Sequence, residues 1–227
     1  MSRSPHQPGR SGRSSPASHL DNERFASSPS GPGSVSNALN GVSCLAATSC
    51  KAVGWYVTPT SGNLTLIASW NGTAWSVAPS PNAPETTSDG LYGVSCVSAI
   101  SCKAVGYAYG QTTTTAHTLL ESWNGSNWSI VSSPNTQTGT DVLHDVSCVS
   151  PTSCKGVGYF TGTNRSDNFN LIESWNASTW SITPSPDQGS LNNGLLGVSC
   201  GTATSCKAVG YFTGASGTVR ILIESSG

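Results

Sequence analysis

Charge is what this 227-residue chain has least of: Asp, Glu, Lys and Arg together make up 9%, against roughly 25% in an average soluble protein. With ten basic and eleven acidic residues the net charge is −1, so the basic footprint of a nucleic-acid binder is missing. No apolar run nears the roughly 18 residues a membrane-spanning helix needs. The 3.6-residue apolar spacing of an amphipathic helix is also absent. The first twenty residues, MSRSPHQPGRSGRSSPASHL, carry Arg3, Arg10 and Arg13 but no apolar segment behind them, so no secretory signal is read there. With so little to bury, residues 1–21 are expected to form a disordered tail.

Ser, Thr, Gly and Asn fill the space that charge leaves, and eight cysteines stand among them at a fixed beat. Cys44, Cys96, Cys148 and Cys200 lead, and Cys50, Cys102, Cys154 and Cys206 follow. Each interval is 52 residues. All four lysines, Lys51, Lys103, Lys155 and Lys207, come directly after the second cysteine. Trp70, Trp123 and Trp175 recur, each followed five positions later by Trp75, Trp128 and Trp180, and "APSPN", "VSSPN" and "TPSPD" close three repeats. A period near 50 is the mark of a repeat architecture.

Within a repeat, four short runs have strand character: Gly93–Cys96, Cys102–Tyr107, Thr118–Trp123 and Trp128–Ser132 in the second. "NGSN" separates the last two, and Asn-Gly tolerates the positive φ of a tight turn. Four strands per repeat predict an all-β, four-bladed β-propeller of four-stranded antiparallel blades. The repeats start near 39, 91, 143 and 195, and the propeller spans 22–227. The last repeat stops at "ILIESSG" after its third strand, while "RFASSPS" (Arg24–Ser30) aligns with "SVAPSPN" when shifted by one period. A strand over 22–30 is therefore expected to close the last blade from the N-terminus, the alternative being a fragment of a larger propeller.

"KAVGYF" followed by "NLIESWNASTWSITPSP" resembles the kelch-type repeat of galactose oxidase and its relatives. It differs in having one glycine per repeat (Gly54, Gly106, Gly158, Gly210), Trp for Tyr, and the cysteines. It is similar, too, to cysteine-paired repeat proteins of uncharacterised function exported by bacteria. The kelch-type resemblance implies a propeller, and neither resemblance implies an activity.

Cys-x5-Cys puts one cysteine at the end of the first strand and its partner at the start of the second. Opposed residues there are close enough for a disulfide, whereas structural zinc favours shorter ligand spacing. Disulfides 44–50, 96–102, 148–154 and 200–206 are expected, each worth about 2 kcal/mol. They place the protein in an oxidising compartment, extracellular or at the cell surface.

Glu121, Glu173 and Glu224 share one position on the third strand, with Ala68 in the first repeat. They read as partners of the lysines on the neighbouring strand or as a ring of cation ligands, and the pairing is preferred. The tryptophan pairs read as packing between blades rather than sugar platforms. Of six Asn-x-Ser/Thr sequons, at Asn63, Asn71, Asn124, Asn127, Asn164 and Asn176, three merely repeat the turn. An oxidase-like copper site would need more than His117 and His144, and a sialidase more arginines than Arg24, Arg165 and Arg220. No nucleophile elbow or metalloprotease helix is present. No catalytic residue, metal or cofactor is assigned.

The turns between strands one and two, and three and four, are short and uniform. The opposite face carries loops that differ: "VTPTSGN", "AYGQTTTTAH", "FTGTNRSDNFN" and "FTGASGT". Differing loops on a uniform scaffold are where a site is built, and this face holds Glu85, Asp89, His117, Asp141, His144, Arg165, Asp167 and Phe169. A non-catalytic, monomeric binding protein for a protein or glycan is the expectation. The competing readings are a hydrolase or oxidase-like enzyme with its site at the channel mouth, and a structural repeat of a larger surface protein.

Overall fold

The computed structural model describes residues 29–111, 115–136, 139–162, 167–188 and 191–226. All regular structure is β. Blade 1 holds β1 (Ser36–Ala46), β2 (Ser49–Val57), β3 (Asn63–Trp70) and β4 (Trp75–Ala78). Blade 2 holds β5 (Thr86–Ser98), β6 (Ser101–Gly110), β7 (Ala116–Trp123) and β8 (Trp128–Val131). Blade 3 holds β9 (Asp141–Ser150), β10 (Ser153–Thr161), β11 (Asn168–Trp175) and β12 (Trp180–Thr183). Blade 4 holds β13 (Asn193–Cys200), β14 (Cys206–Thr213) and β15 (Val219–Ser226). Each blade is an antiparallel meander in chain order. The expected closing strand lies, apart from Pro29 and Ser30, outside the described residues.

The first strand of each blade packs on the first strand of the next, β1 on β5, β5 on β9 and β9 on β13, while packing of comparable extent does not join β13 to β1 among the described residues. These strands line the inside of the array, with β4, β8 and β12 outermost. Three apolar clusters fill the spaces between blades, and a fourth, of Tyr107, Ala116 and Val142 with Tyr92 and Tyr159 packed against it, joins blades 2 and 3. Val53 and Ile67 of blade 1 meet Leu91, Val94, Leu119 and Trp128 of blade 2. Val105 and Leu120 meet Leu143, Val146, Leu171 and Trp180, and Val157 and Ile172 meet Leu195, Val198 and Leu222.

The innermost strand is longer than its apolar run predicts, because backbone pairing continues through polar residues: Thr86 pairs with Gly110 and Asp89 with Ala108. Each inner strand also carries a bulge. Leu91 pairs with Gly106 and Gly93 with Val105, leaving Tyr92 unpaired, and the same step leaves out Asn40, His144 and Leu196. A bulge tightens the local twist and re-aims the side chain. It also explains the one glycine per repeat: a Cβ on Gly106 would lie 1.9 Å from the Gly90 carbonyl oxygen, and Gly54, Gly158 and Gly210 meet the same obstacle.

All four disulfides are formed between directly opposed residues, with Cα atoms 4.0 Å apart. Such bonds fit an oxidising environment. The tryptophans of each pair face one another across the outer hairpin at 5.7 Å. Between them the side chain of Asn71, Asn124 or Asn176 accepts from the backbone N–H groups two and three residues on. The turn is thus held by the asparagine carbonyl as much as by the glycine.

The glutamates do not pair with the lysines. Lys51, Lys103 and Lys155 donate to Ser69, Ser122 and Ser174 on the adjacent strand, and Lys51 and Lys103 also lie over Trp123 and Trp175 of the following blade, 4.3 and 4.2 Å from the ring centres. The glutamates reach back to the preceding blade. Ser80, Ser133 and Ser185 donate to Glu121, Glu173 and Glu224. Two residues on, Asn82, Asn135 and Asp187 accept from the backbone N–H of Thr65, Thr118 and Asn170 in their own blade. The recurring Ser-Pro-Asn/Asp is therefore a staple with two arms, one to each of two blades.

Candidate functional site

Side chains that obey the 52-residue beat are consumed by these interfaces, so a site must be sought where the repeats depart from one another. The bulge is such a place. Asn40, Tyr92, His144 and Leu196 occupy equivalent points on successive inner strands but differ wholly in chemistry. Asn40 donates to the Leu91 carbonyl of the next blade. Tyr92 and His144 instead join an aromatic arc. Tyr107 lies 5.4 Å from Tyr92, Tyr92 5.0 Å from His144, and His144 5.7 Å from Tyr159, with Tyr109 edge-on to Tyr107 at 5.4 Å. The arc crosses blades 2 and 3 along their inner edge and runs toward the loop face, since Tyr107 and Tyr109 are successive outward rungs of β6.

Local sequence sets this arrangement. Gly90 leaves room for the Tyr107 ring, which a Cβ there would meet at 2.8 Å, and Asn63 of blade 1 donates to the Tyr107 hydroxyl at 2.8 Å. Tyr92, His144 and Tyr159 are half-buried. Burial, followed by the neighbouring phenols of Tyr107, Tyr159 and Tyr109, pushes the Tyr92 pKa up to about 12. Burial raises Tyr159 likewise, with Tyr109 and Tyr211 adding to it, and lowers His144. At neutral pH the arc carries no charge. It offers ring faces, phenol hydroxyls and one neutral imidazole, and a phenol held so far above neutrality is a poor proton acceptor.

The other residues expected on this face divide. Glu85, in the left-handed region at φ 57°, and His117 line one open cleft of about 690 Å³, together with Gln111, Thr118 and Asn135. Asp89 and Asp141 are buried linker anchors: Asp89 accepts from Ala83 N–H and the Thr86 hydroxyl, Asp141 from Thr136 N–H and hydroxyl. Burial raises both carboxyls. Phe169 stacks on Phe160 at 5.3 Å. Asp167 holds the base of its loop, its carbonyl accepting from Gly162 N–H, and Arg165 lies outside the described residues. Of the eight, His144 joins the arc, and Glu85 and His117 share the cleft. Tyr92, Tyr107 and Tyr159 were missed; comparing the four repeats column by column at the bulge would have exposed the first.

A second cavity, about 150 Å³, lies between blades 3 and 4 and is lined by Val157, Ile172, Val198, Cys206 and Ala208. Trp180 and Trp128 fill the corresponding places one and two blades earlier. No group of His, Cys, Asp and Glu suited to a metal ion occurs among the described residues, nor does a helix long and apolar enough to cross a membrane.

Stacked four-stranded meanders of this kind define a β-propeller repeat protein. No protein-family model matches the chain, and no curated protein matches it. Among solved structures it is similar to YCF48 bound to D1 peptide, with a TM-score of 0.41 and 13% identity over 82% of this chain and 53% of that one. It is also similar to the GH43 endo-arabinanase from Bacillus licheniformis, with a TM-score of 0.30 and 9% identity over 88% of this chain and 96% of that one. The chain thus spans about half the length of the first.

Proposed function

We propose that this is a non-catalytic binding protein of an extracytoplasmic compartment, which holds an uncharged segment of a glycan or protein on the loop face, a neutral glycan foremost. The observation that carries this reading is the uncharged arc Tyr107–Tyr92–His144–Tyr159 at the inner edge of the blades. The half-buried phenol rings of Tyr92 and Tyr159 suit the apolar faces and polar edges of a sugar, and the low charge around them matches a neutral partner. The carboxyls with the most raised pKa, Glu121 and Glu173, are fully buried between blades and spent on serine hydroxyls, which supports binding over catalysis.

Glycan-array screening of the oxidised protein, followed by calorimetric titration of any hit, tests the reading. Tyr92→Ala and His144→Ala are each expected to weaken affinity about tenfold, the scale of one lost aromatic contact, without loss of fold. Wild-type affinity in both variants overturns it, and an array with no retained glycan overturns the preference for a glycan.

A further inference from the structure

The two ends of the blade array are unfinished in complementary ways. On the trailing face of blades 1, 2 and 3, Val53, Val105 and Val157 are at most 1% exposed, whereas Val209 on blade 4 is 50% exposed; Ile67 is fully buried, whereas its counterpart Ile223 is 66% exposed. On the leading face, Leu91, Leu143 and Leu195 are fully buried, while Leu39 of blade 1 is 41% exposed and Val42 63%. Leu39, Val42, Ala52 and Trp75 surround an open socket of about 310 Å³. Their counterparts Leu91, Val94, Ala104 and Trp128 are the residues that receive Val53 and Ile67. One end is a knob and the other its hole.

The polar parts match too. Each internal interface carries a bond from a cysteine N–H to a serine hydroxyl of the preceding blade: Cys96 to Ser43, Cys148 to Ser95 and Cys200 to Ser147, all 3.0 Å. Cys44 and Ser199 are the two halves of a fourth bond that is not made among the described residues. Lys207 is exposed where Lys51 and Lys103 lie over tryptophan, and Trp70 stands on blade 1 where Trp123 and Trp175 receive them. The serine–glutamate staple has no match among the described residues. Blade 1 carries the buried Ala68 at the glutamate position, and so has no carboxylate needing a donor from the preceding blade.

We infer that these faces meet between two copies of the chain, blade 4 of each packing on blade 1 of the other. A contiguous apolar face of this kind marks an interaction surface. The occupant follows from continuity: the missing partner of each face is already present three times within the chain, and the molecule carries both halves at opposite ends. A head-to-tail contact of this type closes into a ring when its rotation allows, giving eight blades from two chains.

Light scattering on the size-separated, oxidised protein is expected to give twice the chain mass of 23.2 kDa. A single-chain mass across the accessible concentration range overturns the inference and favours closure of four blades on themselves. Two variants fix the surface: Val209→Asp with Ile223→Asp on the knob, and Leu39→Asp with Val42→Asp on the socket. Each alone is expected to be monomeric with an unchanged far-ultraviolet circular dichroism spectrum, since these side chains already face solvent in one chain. Mixed, they regain one intact interface and are expected to pair. Failure of the mixture to pair, or dimers formed by either variant alone, places the contact elsewhere and overturns the assignment.

Discussion

Stability should fall as the solution is made less acid, and the buried glutamates are the reason. Glu121 and Glu173 are fully buried, and burial is the main force raising their pKa from 4.5 to about 8 and about 7; the hydroxyls of Ser80 and Ser133 pull the other way. Between the unfolded and folded pKa values the folded protein holds protons that the unfolded chain has released. The stability these groups contribute is complete below pH 4.5 and is lost as pH climbs through the folded values. Each such group costs about 1.4 kcal/mol per pH unit inside its window. From pH 5 to pH 7.5, Glu121 alone accounts for about 3 kcal/mol and Glu173 for somewhat less. At 2–4 °C per kcal/mol for a chain of this size, the midpoint should drop by roughly 10 °C or more.

Glu121→Gln isolates the effect. The amide oxygen still accepts from Ser80, and nothing at that position titrates. The variant should gain about 3 kcal/mol over wild type at pH 7.5 and almost nothing at pH 5, measured by denaturant unfolding at fixed ionic strength. His144 acts in the opposite sense, because a lowered pKa destabilises the folded state as pH falls below 6.5; the variant-minus-wild-type difference removes that contribution. A difference that does not grow with pH would refute the reasoning and mean that the Ser80–Glu121 contact holds an ionised carboxylate.

Two backbone substitutions should act in opposite directions. Gly106→Ala places a methyl 1.9 Å from the Gly90 carbonyl oxygen, and thermal unfolding should report a loss of about 3 kcal/mol or more. Ala177 sits at φ 80° where the other two outer turns have Gly72 and Gly125, so Ala177→Gly should raise stability by about 1 kcal/mol, seen as a higher denaturant midpoint with an unchanged slope.

Much of the fold was legible because its strongest signals are local. A cysteine pair at fixed spacing, a tryptophan pair around Asn-Gly and an apolar run ending in glycine each define one hairpin, and their repetition defines the blade. The glutamates show where that reading fails. Lys103 and Glu121 lie on neighbouring strands, yet the register puts Lys103 beside Ser122 and Ala104 beside Glu121. The carboxylate's partner is a serine 41 residues earlier, in the preceding blade. Pairing between blades depends on how sheets stack, which no short-range pattern encodes. Asp89 and Asp141 were legible as polar residues on the loop face, but not as anchors that each accept from one linker backbone N–H.

The two kinds of position in the repeat answer to different constraints. A residue at the apolar beat must fill the space between two blades, and that space is nearly the same each time; Val53, Val105 and Val157 meet equivalent neighbours and keep one identity. The bulge residue is released from pairing with the adjacent strand, so the strand ladder fixes neither its size nor its polarity, and Asn, Tyr, His and Leu all occur there. Variation at such a point leaves the strand pairing intact while changing what the inner edge presents. Divergence at the bulge and the adjoining loops is what supports the proposed site, and the arc through Tyr92 and His144 is where that divergence brings aromatic rings of two blades into contact.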